Sequence, residues 1–256
     1  MTAALLQVRN LGKSFGGVKA VDGISFDLAP GELLALIGPN GAGKSTTFNM
    51  VHGQLRPDQG SILLQGQELA GRSPRAIWRQ GVGRTFQIAE TFASLTAVEN
   101  VQMALLSQDH LLFSMWRRAA DHRRDDALAL LDQVGMKRQA DRPCNVLAYG
   151  DVKRVELAVA MANSPKLLLM DEPTAGMAPQ ERNNLMALTK ELVVHQGMAV
   201  LFTEHSMDVV FAYADRMIVL ARGRLIAEGQ PSAIRDHPQV QEVYFGTGQT
   251  FEKAPA

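Results

Sequence analysis

Two textures of apolar residue alternate along this chain. Leu33–Ile37 and Leu167–Met170 are short, uninterrupted apolar runs, the pattern of strands buried on both faces of a parallel sheet. Around the first run, residues 5–9 and 24–28 predict short strands bounded by glycines, and Pro30-Gly31 turns the chain into Leu33. Pro57-Asp58-Gln59-Gly60 predicts a turn into a strand at Ser61–Leu64. Ser73-Pro74 offers an N-cap and a first helical residue for a short helix ending near Gly81, and Val82–Phe86 predicts a strand leading to Gln87.

The period then lengthens. Thr96-Ala97-Val98-Glu99 is a capping box, with Val98, Val101 and Leu105 at helical spacing behind it. Asp121–Val134 predicts a second amphipathic helix, apolar at Ala127, Leu128, Leu131 and Val134 and stopped by Gly135. Strand and helix alternate again from Lys166: Lys166–Met170 (strand), Pro179–Gln196 (helix, stopped by Gly197), Met198–Thr203 (strand), Ser206–Tyr213 (helix). That alternation predicts a parallel sheet. Arg222-Gly223 predicts a hairpin joining Met217–Ala221 to Leu225–Glu228. The chain thus divides into a core from residues 1–87 and 164–246, a helical insertion at 88–163, and a polar tail at 247–256.

Composition narrows the classes. Of 256 residues, 46% are hydrophobic and 20% charged, as in an ordinary packed protein, and 26 Lys and Arg balance 26 Asp and Glu. No global basic excess exists to grip a nucleic acid or an anionic membrane. The basic segment Arg117-Arg118 and Arg123-Arg124 is interleaved with Asp121, Asp125 and Asp126, which makes it a solvated helix face. Cys144 is the only cysteine, and the first residues lack the make-up of a secretory signal, so a cytosolic address is expected. No apolar run approaches the roughly 18 residues that span a bilayer, so any work at a membrane needs a partner to hold the chain there.

The candidate chemistry begins directly after Ile37. Gly38-Pro39-Asn40-Gly41-Ala42-Gly43-Lys44-Ser45-Thr46 fits the phosphate-loop pattern in its strand, loop, helix context. The glycines let successive amides converge on phosphate oxygens. Lys44 is expected to reach the β- and γ-phosphates of ATP, and Ser45 to offer its hydroxyl to Mg²⁺. Such a loop needs a carboxylate at a neighbouring strand end, and Leu167-Leu168-Leu169-Met170-Asp171-Glu172 supplies two. Asp171 is expected on the metal side and Glu172 as the base that polarises the attacking water. Gln87 and His205 also follow short apolar strands, where open parallel sheets place ligand contacts. Phe15, on a Gly-rich turn, either stacks on a base or belongs to the core.

Together these pieces resemble the ATP-binding cassette family, the nucleotide-binding subunits of ABC transporters, over nearly the whole chain. The match places Gly38–Thr46 on the Walker A loop, Leu167–Asp171 on the Walker B strand, Glu172 on the catalytic glutamate, Gln87 on the Q-loop, His205 on the switch histidine and Phe15 on the adenine-stacking aromatic. The resemblance implies an α/β fold: a P-loop NTPase core with an N-terminal antiparallel β subdomain and an inserted α-helical subdomain. It also implies a place for Gln87 beside Ser45 and Asp171 at Mg²⁺, and catalytic roles for Glu172, His205, Gln87 and Lys44. The family's signature aligns with Leu147-Ala148-Tyr149-Gly150-Asp151 and implies nucleotide contacts from Leu147, Ala148, Tyr149 and Gly150. Ala148 lacks the usual hydroxyl, Asp151 replaces a glutamine, and the loop Ala175-Gly176-Met177-Ala178 lacks the usual aspartate.

Within the family, Leu-Ala-Tyr-Gly, the insertion after Val98-Glu99-Asn100 and the ending His237–Gly246 resemble the branched-chain amino acid importer subgroup, with urea and amide importers sharing these traits. The implied partners are membrane permease subunits, a second homologous ATPase subunit or a second copy of the chain, and indirectly a solute-binding receptor. The implied place is the cytoplasmic face of the cell membrane. A nucleic-acid-associated ABC ATPase would need a long coiled coil between Gln87 and Leu147, and no sustained heptads occur there. An acid at Asp151 is expected to raise the cost of closing two identical chains around ATP.

Overall fold

The computed structural model describes residues 4–109 and 122–245. Arg117, Arg118 and Asp121, like the tail from Gly246, lie outside the described residues. The elements run β1 (Leu6–Phe15), β2 (Val18–Leu28), β3 (Leu33–Ile37), α1 (Lys44–Val51), β4 (Gln59–Leu64), β5 (Gln67–Glu68), α2 (Pro74–Arg79), β6 (Val82–Thr85), α3 (Ala97–Gln108), α4 (Arg124–Gln133) and α5 (Tyr149–Met161). They continue with β7 (Leu167–Asp171), α6 (Pro179–Gln196), β8 (Ala199–Thr203), α7 (Met207–Tyr213), β9 (Arg216–Ala221), β10 (Arg224–Gly229), α8 (Pro231–Arg235) and α9 (Pro238–Phe245).

Two sheets organise them. One has the order β2-β1-β4-β5 and is antiparallel. The other has the order β10-β9-β3-β8-β7-β6, parallel except for the β9–β10 hairpin. The fully apolar strands of this second sheet divide their side chains between two cores, as the two-residue period of a strand requires. Leu33, Ala35, Ile37, Leu168, Met170, Val200 and Phe202 face the helices, including Val98 and Val101 of α3 and Val155 and Leu157 of α5. Leu34, Leu36, Leu167, Leu169, Ala199 and Leu201 face the antiparallel sheet together with Phe48, Met50 and Val51 of α1. The second sheet is therefore the middle layer of three.

Local chemistry sets the element ends. Ser73 accepts the Ala76 amide at α2, and Thr96 and Glu99 close a reciprocal capping box at α3. Gly135 and Gly197, at φ 73° and 66°, close α4 and α6. β1 and β2 run further than the short strands expected at 5–9 and 24–28. Their extra residues form an irregular extension with register shifts along it, in which Leu11 and Val21 are buried but most other positions are polar, glycine or exposed, so no regular apolar alternation can be read. Arg123 and Arg124 pair with Asp109 and Asp126 and with Asp141 respectively, as befits a solvated face. Among the described residues no helix is long and apolar enough to cross a membrane.

Candidate functional site

Close contacts of the backbone shape the loop between β3 and α1. A Cβ on Gly38 would sit 2.3 Å from the carbonyl oxygen of Leu220, and one on Gly43, at φ 104°, 2.5 Å from that of Ala20; only glycine fits either place. No side chain caps α1 and no acid stands in its first turn. Its first amides and positive dipole end are left for an anion. Asn40, Gly41 and Ser45 are exposed, while Lys44 is buried. The Lys44 ammonium donates to the carbonyl oxygens of Gly38 at 2.6 Å and Pro39 at 3.1 Å. Burial lowers its pKa, against the pull of Glu172 and Asp171.

β7 delivers the two acids. β8, lying between β3 and β7, ends in Thr203, whose hydroxyl donates to Asp171 Oδ1 at 2.8 Å and accepts the Glu172 amide at 3.1 Å. Glu172 has φ 47°, a left-handed conformation that costs a non-glycine residue about 1 kcal/mol or more and persists only where the surroundings impose it. The turn brings its carboxylate between two side chains that follow the ends of β6 and β8. Gln87 Nε2 donates to Oε2 at 2.8 Å, and His205 Nε2 stands 2.8 Å from Oε1. Buried Glu204 steadies the frame by accepting the Thr174 amide and hydroxyl and the His205 amide.

Lys44, Asp171, Glu172, Gln87 and His205 are thus brought into one cluster. Ser45, Asp171 and Gln87 offer hydroxyl, carboxylate and amide oxygens. These are hard donors that suit Mg²⁺ when substrate phosphates complete its shell. No described group of three or more His, Cys, Asp or Glu side chains could hold a metal by itself, so the fit rests on those phosphates. Phe15 lies outside the core, 49% exposed at the end of β1, with Lys13 Nζ 5.7 Å from its ring centre. Leu147–Gly150 lead into α5 and join the cluster through Tyr149, whose hydroxyl donates to the Gln87 carbonyl at 3.2 Å. Ala148, the N-cap of α5, provides no side-chain cap, and Asp151 accepts from Gln139 at 3.0 Å.

Three contributors were not foreseen. Thr203 was legible in principle, as a hydroxyl ending the strand beside Asp171. Arg84, nearly buried, sends one nitrogen to Asn49 and Gln54 and the other to within 3.4 Å of Asp171. Tyr244 of α9 hydrogen-bonds the backbone of Gly38, joining the C-terminal helix to the loop. A cleft of about 660 Å³ opens beside the loop, between Asn40 and Gly41, Arg222 and Arg224 of the hairpin, and Gln239 and Glu242 of α9.

Comparison with known proteins gives concordant results. The family model described as ABC transporter matches residues 21–175, and that described as branched-chain amino acid ATP-binding cassette transporter matches residues 224–249. The chain is 40% identical to the high-affinity branched-chain amino acid transport ATP-binding protein LivG of Escherichia coli (strain K12), over 96% of this chain and 99% of that protein. It is 38% identical, with the same coverage, to BraF of Pseudomonas aeruginosa, which carries the same description. Among solved structures, the ADP conformation of an ATP-binding cassette of an ABC transporter superposes with a TM-score of 0.87 at 31% identity, covering 96% of this chain and all of the other.

Proposed function

The chain belongs to the ABC transporter family, as one of its ATP-binding, ATP-hydrolysing subunits, and we propose that it powers the import of branched-chain amino acids across a cell membrane. The C-terminal match at residues 224–249 and the identity to LivG and BraF support this choice of solute.

The cluster supports roles for the loop, the two acids, Gln87 and His205, and membership of the family supports the others. The loop Gly38–Thr46 and Lys44 hold the phosphates, with Lys44 exchanging its two carbonyl partners for phosphate oxygens. Ser45, Asp171 and Gln87 would hold Mg²⁺, which would supply positive charge to neutralise the terminal phosphates. Glu172 takes the proton of the attacking water; Gln87 and His205 aim its two oxygens. Phe15 stacks on the adenine. Leu147, Ala148, Tyr149 and Gly150 face the nucleotide of an opposing cassette in a head-to-tail dimer. The permease that the dimer drives keeps the chain at the cytoplasmic face of the membrane.

The observation that carries this reading is Glu172, held one residue beyond Asp171 between Gln87 and His205. Replacing it with glutamine tests the reading, because the amide keeps shape and hydrogen bonding but loses basicity. Glu172→Gln should retain ATP affinity while turnover falls about 100-fold or more; near wild-type hydrolysis at saturating ATP would remove Glu172 from its role. Co-purification of the permease, followed by binding of leucine, isoleucine and valine against urea to its receptor, tests the solute.

A further inference from the structure

Gln87 stands on an exposed, irregular stretch. It follows the end of β6 at Thr85, and both it and Ile88 are exposed. Apolar packing therefore does little to place it, and its position depends on what holds its backbone. The holding groups come from α5. Lys153 Nζ donates to the carbonyl oxygen of Phe86, and Glu156 Oε1 accepts the Phe86 amide at 2.9 Å and approaches the Glu90 amide at 3.5 Å. Both backbone polar groups of the residue before Gln87 are thus taken by one pair of side chains. Tyr149, one turn earlier on α5, takes the Gln87 carbonyl.

The pair itself is unusual. Lys153 and Glu156 lie 3.2 Å apart with side chains 2% and 4% exposed. Burying two opposite charges is expensive, and an apolar pair of similar size stabilises a core as well or better. Stability alone gives no reason for charges here. What an apolar pair could not do is bind an N–H and a C=O of the same irregular segment.

We propose that Lys153 and Glu156 are positioning residues for ATP hydrolysis: they fasten α5 to the backbone at Phe86 and so set where the Gln87 side chain meets Glu172. Because α5 opens with the Leu147–Gly150 stretch, a shift of that helix is carried directly to the carboxylate of Glu172. This inference rests on Gln87 and Glu172 forming the hydrolytic site, as proposed above.

A double-mutant cycle on the full chain, read by single-turnover hydrolysis and by nucleotide binding, tests it. Lys153→Met should lower kcat about tenfold or more, as small misplacements of a catalytic group do, while ATP affinity stays within about twofold. In a Gln87→Ala background the same change should cost nothing further, because its effect passes through Gln87. If Lys153→Met melts early, Lys153→Met/Glu156→Gln, which leaves no buried charge uncompensated, carries the test with the same expectation. Wild-type turnover, or an equal loss with and without Gln87, would overturn the positioning role. If Gln87→Ala and Glu172→Gln themselves hydrolyse ATP normally, the hydrolytic reading beneath it fails instead.

Discussion

Nε2 of His205 lies 2.8 Å from Oε1 of Glu172, across 33 residues of chain. The contact needs the left-handed backbone of Glu172 and the grip of Glu204 on the His205 amide. His205 is exposed, so removing it should leave the fold and ATP affinity unchanged. His205→Ala should lower turnover by about two orders of magnitude, measured as phosphate release at saturating ATP, with the melting temperature as control.

Lys44 is already committed to two loop carbonyls, so ATP must compete for its ammonium and is attracted by a buried charge. Charge-assisted contacts to phosphate are strong. Lys44→Ala should abolish calorimetric ATP binding at micromolar nucleotide, and unchanged affinity would remove the loop from its assigned role.

Asp151 brings an acid close behind the residues Leu147–Gly150, and Gln139 is its one described hydrogen-bond donor. Two such acids oppose the closing of two identical chains around ATP by about 1 kcal/mol where water is excluded. In a Glu172→Gln background with ATP and Mg²⁺, Asp151→Gln should tighten self-association about fivefold. Sedimentation showing equally tight dimers with and without the change would exclude the penalty.

His52 predicts a pH dependence of stability. It ends α1, where a cation would be favoured, yet burial, reinforced by the neighbouring Arg84, draws its pKa down to about 4. Its Nδ1 has no hydrogen-bond partner among the described residues. The unfolded chain, with an ordinary histidine pKa near 6.5, therefore binds the extra proton between about pH 6.5 and 4. Stability present above that window is lost as pH falls through it, by up to about 1.4 kcal/mol per pH unit. His52→Gln should flatten that part of the thermal unfolding profile; an unchanged slope would assign the acid sensitivity elsewhere.

The parts legible in the sequence were those whose chemistry is local. Leu33–Ile37 and Leu167–Met170 announced buried strands because every position is apolar, and Pro179 and Gly197 bracketed α6 by themselves. Gln87 and His205 could be read as strand-end residues, but nothing near either one shows that both meet Glu172. Thr203, Arg84, Tyr244 and the Lys153–Glu156 pair act across tens to hundreds of residues, and polar groups that find partners at that range leave no periodicity behind. β1 and β2 run further than the pattern shows for the converse reason, since an irregular extension that buries only Leu11 and Val21 shows no apolar alternation.

The strand order carries a consequence for how the protein is made. Among the described residues β3 pairs only with β8 and β9, which begin about 160 and 180 residues after it ends. At ordinary rates of translation that gap lasts on the order of 10 to 30 s. Throughout it, both hydrogen-bonding edges of β3 have no native partner, the condition in which strands find foreign ones. Newborn chains should therefore be most prone to aggregate, and most dependent on chaperones, before residue 221 has emerged from the ribosome. Truncations ending short of β9 should be insoluble even though the entire phosphate loop is present in them.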